Sequence, residues 1–222
     1  VFPADYVRHP YVVNDPLYAY SIRDDLKSLP TLSVVLHHDD LFGPTEGIYT
    51  FPKKRGVEWE RPCSMEWFDP RVSRGDDPTN GVQVNCGVRM WGAGSRNPGK
   101  HRKHSFRLLF KRDYGPPRLD FPIFPGWDVD RFNTLIVRGE GDWIWDSGAG
   151  GNDRAQYMRD DWVRYTAREM GKETTSSTHV HLYVNGLYWG LYQTQEHAEA
   201  SYAARYFLSL IHNSEPPRPR QI

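Results

Sequence analysis

Apolar and polar residues alternate in several short segments of the chain, and a period of two is typical of half-buried β-strands. The clearest segment is Gly81–Trp91, whose apolar positions are Val82, Val84, Cys86, Val88 and Met90. Further strands are predicted over residues 31–36, 57–68, 105–110 and 132–137. We therefore expect an α+β fold that is built on a mostly antiparallel sheet.

One segment instead repeats its apolar residues at the spacing of an α-helix. These residues are Ala155, Met158, Trp162, Tyr165 and Met170. Asn152 or Asp153 is a suitable N-cap, and Gly171 supplies a C-terminal stop. The pattern predicts one main packed helix, with Asp160 and Asp161 on its solvent-exposed face.

The strongest local signal is Asn185-Gly186, which lies between two segments rich in apolar and aromatic residues, 179–184 and 187–192. Asn and Gly both tolerate the positive φ angles of a type I′ turn. The pattern therefore predicts a tight β-hairpin.

Composition narrows the possible classes of protein. The chain has 222 residues, of which 25% are charged and 38% hydrophobic, an ordinary soluble composition. Basic and acidic residues number 28 each, which argues against a nucleic-acid-binding protein because such proteins carry a basic excess. No apolar run approaches the roughly 20 residues that a membrane span needs. The chain begins without Met or a signal-peptide pattern, so we expect its native N-terminus to lie upstream.

Two cysteines, Cys63 and Cys86, fit neither a disulfide scaffold nor a zinc site, which needs about four close ligands. Two possibilities stay open for them: buried free thiols, or a pair that is oxidised in an oxidising compartment. No metal site is assigned.

The order of the predicted elements is informative. The order matches the plan of a protein kinase N-lobe: a strand, a glycine-containing loop at 92–100, a basic strand, a helix and a tight hairpin. In such a lobe, loop amides and a Lys hold the nucleotide phosphates. Gly92 and Gly94 alone are weak evidence for a phosphate-binding loop, because glycines are common in turns.

Three motifs resemble the spore coat protein H (CotH) kinase family. Segments 87–96 and 103–110 resemble its Gly/Ser loop followed by a Lys-Ser-aromatic-Arg-Leu strand. Segment 154–171 resembles its "RN-x-LA…ELG" helix, and segment 181–192 matches its "ELY-x-NGEYWGLY" hairpin almost residue for residue, with Glu196 as the Glu that closes the motif. The resemblance runs from about Pro30 to Phe207. It implies a partial kinase-like domain over 30–207, while residues 1–29, rich in Pro, Asp and Tyr, are expected to be an extended lead-in or linker.

The resemblance implies an atypical protein-kinase-like N-lobe, truncated, from a kinase that uses ATP and Mg²⁺ to phosphorylate Ser or Thr of surface or coat proteins. The nucleotide-binding residues that it implies are Gly92, Gly94, Ser95, Lys103, Arg107, Gln195 and Glu196. Among these, Lys103 is the first candidate to hold phosphates and Arg107 the second, while Thr194, Gln195 and Glu196 form the expected hinge. The simpler alternative is a set of exposed basic residues and an ordinary surface turn.

Some positions depart from the usual kinase pattern. The loop 92–97 lacks a full G-x-G-x-x-G, and Arg154 and Arg159 lie on the helix where a typical kinase has a Glu. In the resembling family both catalytic Asp residues follow the hairpin in the second half of the domain. We therefore expect them beyond Phe207, assign no catalytic residue, and expect no phosphoryl transfer by this chain alone.

The last segment, 208–222, is expected to be non-native. Residues 208–218 resemble LSLIHISEPTR, the peptide that translation of a transposase sequencing adapter gives, with Asn213 and Pro217 as departures. The alternative is a native disordered tail rich in Pro and Arg.

Two other interpretations stay open. His179 and His181 lie two apart on a strand and begin an H-x-H metal pattern that Glu196 or His197 would complete, but such histidines are more often polar positions on the wet face of a sheet. The whole chain is alternatively a non-catalytic extracellular binding or structural module of a large secreted bacterial protein, with exposed Tyr and Trp stacking on sugars. By resemblance we expect a secreted or cell-surface protein; its oligomeric state is not predicted.

Overall fold

The computed structural model describes residues 14–70, 81–99, 101, 103–139, 157–200, 202–204 and 206. Its helices are α1 (Ile22–Asp25), α2 (His38–Phe42) and α3 (Arg159–Glu169), with 3-10 turns at Val57–Trp59 and Gly94–Arg96. Its strands are β1 (Thr31–Val35), β2 (Arg61–Phe68), β3 (Gly81–Trp91), β4 (Ser105–Leu109), β5 (Leu119–Asp120), β6 (Arg131–Phe132), β7 (Thr134–Arg138), β8 (Ser177–Val184) and β9 (Leu187–Glu196).

Seven strands form a closed barrel in the order β1-β2-β3-β4-β7-β9-β8. Every neighbouring pair is antiparallel except β1 and β8, which pair in parallel and close the barrel. Strands β5 and β6 form a separate antiparallel ribbon. The mostly antiparallel sheet and single longer helix confirm the predicted α+β class.

The barrel interior is filled by the apolar positions that the alternation predicts. In β3 these are Val84, Cys86, Val88 and Met90, all buried, and Phe106 and Leu108 occupy the same side of β4. Trp67 and Tyr192 are among the largest fully buried side chains. Each such side chain contributes about 1.5–3 kcal/mol by leaving water, so the closed core holds the strands that form the outer surface in a fixed register.

Two predicted strands differ from the observed ones by more than a terminal residue. The segment predicted as strand 57–68 begins with a 3-10 turn, and β2 starts only at Arg61, because Gly56 adopts φ 104° and breaks the extended backbone. The segment 132–137 is divided between β6 and β7 at Asn133, whose carbonyl oxygen accepts a hydrogen bond from the Phe110 N–H at 2.9 Å. The polar residues 37–40, which the sequence suggests as a turn after β1, instead lead into α2 (His38–Phe42), with His37 as its N-cap.

The predicted turn and helix stop are confirmed. Asn185 and Gly186 have φ angles of 49° and 80°, and Val184 and Leu187 are paired across them. Gly171 has φ 70° and its N–H bonds to the Arg168 carbonyl at 2.8 Å just after α3. The predicted caps Asn152 and Asp153 lie outside the described residues.

The predicted orientation of the main helix is wrong. Its apolar residues Met158, Trp162, Tyr165 and Met170 are 61–71% exposed, and no residue of α3 is buried. The helix instead contacts the barrel through polar side chains, Asp160, Asp161 and Arg164. The aspartates expected on the solvent-exposed face are therefore the residues that attach the helix. None of the described helices is both long and apolar enough to cross a membrane.

Candidate functional site

The strand register places several basic side chains on one outer surface of the barrel. Arg89 is paired with Arg107, Arg107 with Ile136, and Ile136 with Gln195. Directly opposed residues project from the same side of a sheet, and the neighbours Met90 and Phe106 project into the core. Arg138, two residues after Ile136, belongs to the same side. We call this surface, defined by Arg89, Arg107, Arg138 and Gln195, the outer face.

Arg107 occupies the centre of the outer face. Its Nη2 lies 2.8 Å from Glu199 Oε2 and 3.4 Å from Thr134 Oγ1, and its guanidinium lies 5.2 Å from the Trp91 ring centroid. Burial lowers the pKa of Arg107, and the Glu199 carboxylate opposes that shift. The result is a positive charge fixed in place by an ion pair and an aromatic ring.

The contacts around Arg107 also shift the pKa of the Glu199 carboxyl group. Burial acts to raise the pKa of Glu199, but hydrogen bonds from Thr134 and His197 and the Arg107 charge lower it overall. Arg89 is likewise paired, with its Nη1 3.3 Å from Glu60 Oε1. Arg107 and Arg89 are thus each paired with a carboxylate from a neighbouring segment.

Arg138 is placed differently, at the junction of β7 and α3. Its Nη1 lies 3.2 Å from Asp160 Oδ2, and the same carboxylate oxygen lies 2.7 Å from Arg164 Nε. The Arg138 side chain is 31% exposed, so it remains accessible from the outer face. In protein kinases the strand before the main N-lobe helix carries a Lys that pairs with a helix carboxylate. Arg138 and Asp160 reproduce that pairing with Arg in place of Lys and Asp in place of Glu.

Sequence reasoning missed this pair because it sought the helix partner of Lys103. The available signal was the position of Arg138 as the last residue of the strand before the helix, with Asp160 near the helix start. Arg159, noted as a departure from the kinase pattern, directly precedes that carboxylate.

The glycine loop lies at the same end of the sheet as Arg138. Trp91, the last residue of β3, is paired with Ser105, and Ser105 Oγ accepts a hydrogen bond from the Gly139 N–H at 3.0 Å. Gly92 has φ 105°, and a Cβ there would collide with the Ser95 hydroxyl. Gly94 has open space around its Cα. The loop therefore folds tightly at Gly92 and exposes its backbone at Gly94.

Positive charge surrounds the base of this loop. Arg96 is 4% exposed, and its Nη1 donates to the Lys54 carbonyl at 3.2 Å. Burial lowers the pKa of Arg96, and repulsion from Arg55 and Arg89 lowers it further. Three arginines, Arg55, Arg89 and Arg96, thus lie close enough together near the loop to repel one another.

Lys103 lies at the same barrel end as the loop but apart from Arg107. Its ammonium group contacts Gly190 of β9 and lies 5.9 Å from the ring centroid of the buried Tyr192. The neighbouring His104 Nδ1 lies 3.0 Å from the Ser95 carbonyl oxygen, which ties this segment to the loop. The structure therefore brings Lys103 to the hairpin and the glycine loop, and separates it from Arg107.

The expected hinge at Thr194, Gln195 and Glu196 is part of β9 instead. Their backbone is paired with β7 on one side, and Gln195 and Thr194 are paired with β8 on the other. Gln195 Oε1 accepts from Arg164 Nη2 at 2.9 Å, while Glu196 Oε2 accepts from Ser176 Oγ at 3.2 Å. Strand pairing therefore continues up to Glu196, and the Gln195 and Glu196 side chains attach β9 to α3 and to Ser176.

The two histidines of the H-x-H pattern do not lie on a wet surface. His179 Nδ1 is 2.7 Å from Asp161 Oδ2, and His181, 8% exposed, has its Nδ1 3.1 Å from the Tyr188 hydroxyl. Burial lowers the pKa of His181. Both rings serve packing and hydrogen bonding. Among the described residues, no group of three or more His, Cys, Asp or Glu side chains is arranged to hold a metal ion.

Comparison with protein families identifies a match that covers most of the candidate site. A model of the family "CotH kinase protein" matches residues 88–212, which is more than half of the 222 residues. The match starts within β3 and includes the glycine loop, β4, β7, α3 and the β8–β9 hairpin, and it continues into the segment 208–222. No curated protein matches the chain.

Proposed function

The chain belongs to the CotH kinase protein family, and we propose that its outer face binds ATP for phosphoryl transfer to Ser or Thr hydroxyls of proteins. The observation that carries this proposal is the ion pair between Arg138 of β7 and Asp160 of α3, at 3.2 Å. In kinases the corresponding pair orients a positive charge toward the nucleotide phosphates.

The residues around that pair suit a triphosphate. Arg138 supplies an accessible guanidinium, which binds phosphate oxygens through two parallel hydrogen bonds. Gly92 and Gly94 lie at the same sheet end, and backbone amide groups of such glycine-containing loops are common phosphate ligands. Arg107, held by Glu199, adds a fixed charge near the middle of the face. Lys103 remains a candidate phosphate ligand from the hairpin side of the loop.

Mg²⁺ is the metal that this chemistry uses, because it neutralises phosphate charge during transfer. No residue of the described part of the chain is assigned to it. The catalytic carboxylates are not assigned either. The phosphate acceptors that we propose are surface or coat proteins, and we propose a secreted or cell-surface location for the protein.

Titration with a fluorescent ATP analogue in Mg²⁺ tests the proposal. We expect saturable binding that unlabelled ATP displaces, and at least about tenfold weaker binding by Arg138→Ala, equivalent to about 1.4 kcal/mol. Arg138→Lys should retain part of the affinity. Arg131→Ala is the matched control, since Arg131 lies on the separate ribbon β5–β6 and is 60% exposed.

The same titration evaluates Lys103. Weaker binding by Lys103→Ala, with normal thermal unfolding, assigns it to the phosphate site beside Arg138. An absence of saturable ATP binding in the wild-type chain, or an Arg138→Ala variant that binds like the Arg131→Ala control, would refute the proposal.

A second candidate function is a non-catalytic binding module, and exposed aromatic residues favour it. Trp162 and Tyr165 on α3 are 66% and 61% exposed, and such rings stack on sugars. A glycan-binding measurement separates the two functions. Glycan affinity that Trp162→Ala removes, together with no ATP binding, would support the module.

A further inference from the structure

The two cysteines of the chain face each other across neighbouring strands. Cys63 of β2 is paired directly with Cys86 of β3 in the antiparallel register. Their Sγ atoms are 3.4 Å apart, and the two residues are 7% and 0% exposed. They lie on the core side of both strands, next to Met65 and Val84.

This arrangement meets the backbone requirement of a disulfide. Directly opposed residues of antiparallel strands have Cα atoms about 4.5–5.5 Å apart. A disulfide bridges Cα atoms about 4.4–6.8 Å apart. The Sγ atoms therefore need only side-chain rotation to reach bonding distance, and the strands keep their register.

We propose that Cys63 and Cys86 form a disulfide in the mature protein, as a modification site that joins β2 to β3. The oxidant is a small-molecule disulfide such as oxidised glutathione. One cysteine thiolate attacks it, forming a mixed disulfide and releasing one glutathione thiolate, and the second cysteine then displaces the other glutathione. One S–S bond breaks and one forms, and the two cysteine protons end on the two released thiols.

The surroundings determine when the bond forms. The contact with Cys86 and burial raise the pKa of the Cys63 thiol, so the reactive thiolate is scarce in the folded chain. Burial also keeps small reagents away from both sulfur atoms. The bond therefore forms while the chain folds, and the core afterwards shields it from reduction.

The position gives the bond a structural consequence. Cys63 and Cys86 are 23 positions apart, so the bond closes that loop in the unfolded chain and lowers its conformational entropy. Strand β2 connects β1 to β3, and β3 carries Arg89 of the outer face. The bond thus fixes the barrel beside the candidate site without using any residue of it. It also agrees with the proposed secreted or surface location, since disulfides persist in oxidising compartments.

The experiment refolds the wild-type chain in a buffer of oxidised and reduced glutathione, and separately in excess dithiothreitol. We expect the first sample to weigh less by two hydrogen atoms and to contain no alkylatable thiol in denaturant. Its melting temperature should exceed that of the reduced sample by about 5–10 °C.

The Cys63→Ala/Cys86→Ala double variant is the matched control, and its melting temperature should not depend on the redox buffer. The wild-type comparison needs no variant, so poor folding of the variant leaves the test intact. Two free thiols in the chain after folding in the glutathione buffer would overturn the inference. A disulfide that links two chains instead of Cys63 and Cys86 of one chain would overturn it as well.

Discussion

At the scale of single residues, Gly190 controls where Lys103 lies. It adopts φ 129°, which L side chains rarely adopt, and a Cβ there would collide with the Lys103 ammonium group. We expect Gly190→Ala to lower the free energy of unfolding by about 2–3 kcal/mol, mainly from backbone strain, because the ammonium end of the flexible Lys103 side chain can move away from a new methyl group. Urea unfolding followed by circular dichroism measures the change.

Gly186→Ala is the control for backbone strain alone, because Gly186 has φ 80° and open space around it. Its cost should be about 1 kcal/mol. In a Lys103→Ala background the cost of Gly190→Ala should change by less than about 0.5 kcal/mol, because the flexible lysine end can move aside in the wild-type background. A fall of about 2 kcal/mol or more would show that Lys103 is held rigidly against Gly190.

Among single residues, those whose conformation depends on local backbone preferences were predictable, whereas side-chain pairs distant in sequence were not. The turn at Asn185-Gly186 and the stop at Gly171 were predictable, because local φ preferences determine both. The pairing of Arg138 with Asp160 was not, since 22 positions separate the two residues and only the packing of α3 on β7 brings them together. Resemblance identified Lys103 and Arg107 together, but in the structure they contact different rings, Lys103 that of Tyr192 and Arg107 that of Trp91.

At the scale of elements, α3 shows how a correct period leads to a wrong orientation. Its apolar spacing is helical, yet the barrel surface beneath it carries His179, Gln193 and Gln195, which require polar partners. Asp161 and Arg164 satisfy them, so the polar side of the helix faces the protein. The periodicity of a sequence indicates that a helix has an apolar and a polar face. Which of the two packs against the protein depends on whether the opposing surface is apolar or polar.

Asp161 should therefore be the main attachment of α3. Its Oδ2 lies 2.7 Å from His179 Nδ1, its Oδ1 accepts from Gln193 Nε2 at 2.6 Å, and Ser177 Oγ also donates to Oδ1. We expect Asp161→Asn to cost about 2 kcal/mol, because hydrogen bonds to a charged group are lost. In this variant, amide hydrogen exchange should show that the α3 backbone has lost protection relative to the wild type, while the barrel strands keep theirs.

The control is Glu169→Gln, which removes a charge from the exposed last turn of the same helix. Its effect on stability should stay within about 0.5 kcal/mol. If Asp161→Asn left α3 protection unchanged, the apolar side of the helix would have to be its true packing face.

At the scale of the whole molecule, the closure of the barrel was the least predictable feature. Strand β1 is paired with β2 and, in parallel, with β8, and the Leu36 N–H reaches Asn185 Oδ1 at 2.9 Å across 149 positions of sequence. Alternation predicts that β1 exists, but it carries no information about a partner so distant in the chain. By contrast, the antiparallel neighbours β3 and β4 follow one another along the chain, which is the common arrangement of paired strands.

Strand β1 pairs with both β2 and β8 and so joins the two ends of the sheet. We therefore expect a core residue of β1 to contribute strongly to the stability of the whole barrel. Val34 is 4% exposed and is paired with Met65 of β2 and Val184 of β8, whereas the adjacent Val35 is 51% exposed. We expect Val34→Ala to lower the unfolding free energy by about 2 kcal/mol, since two buried methyl groups are lost from the core. Val35→Ala removes the same atoms from the same strand and should cost under about 0.5 kcal/mol. Urea unfolding of both variants compares them, and equal costs would mean that β1 does not close the barrel.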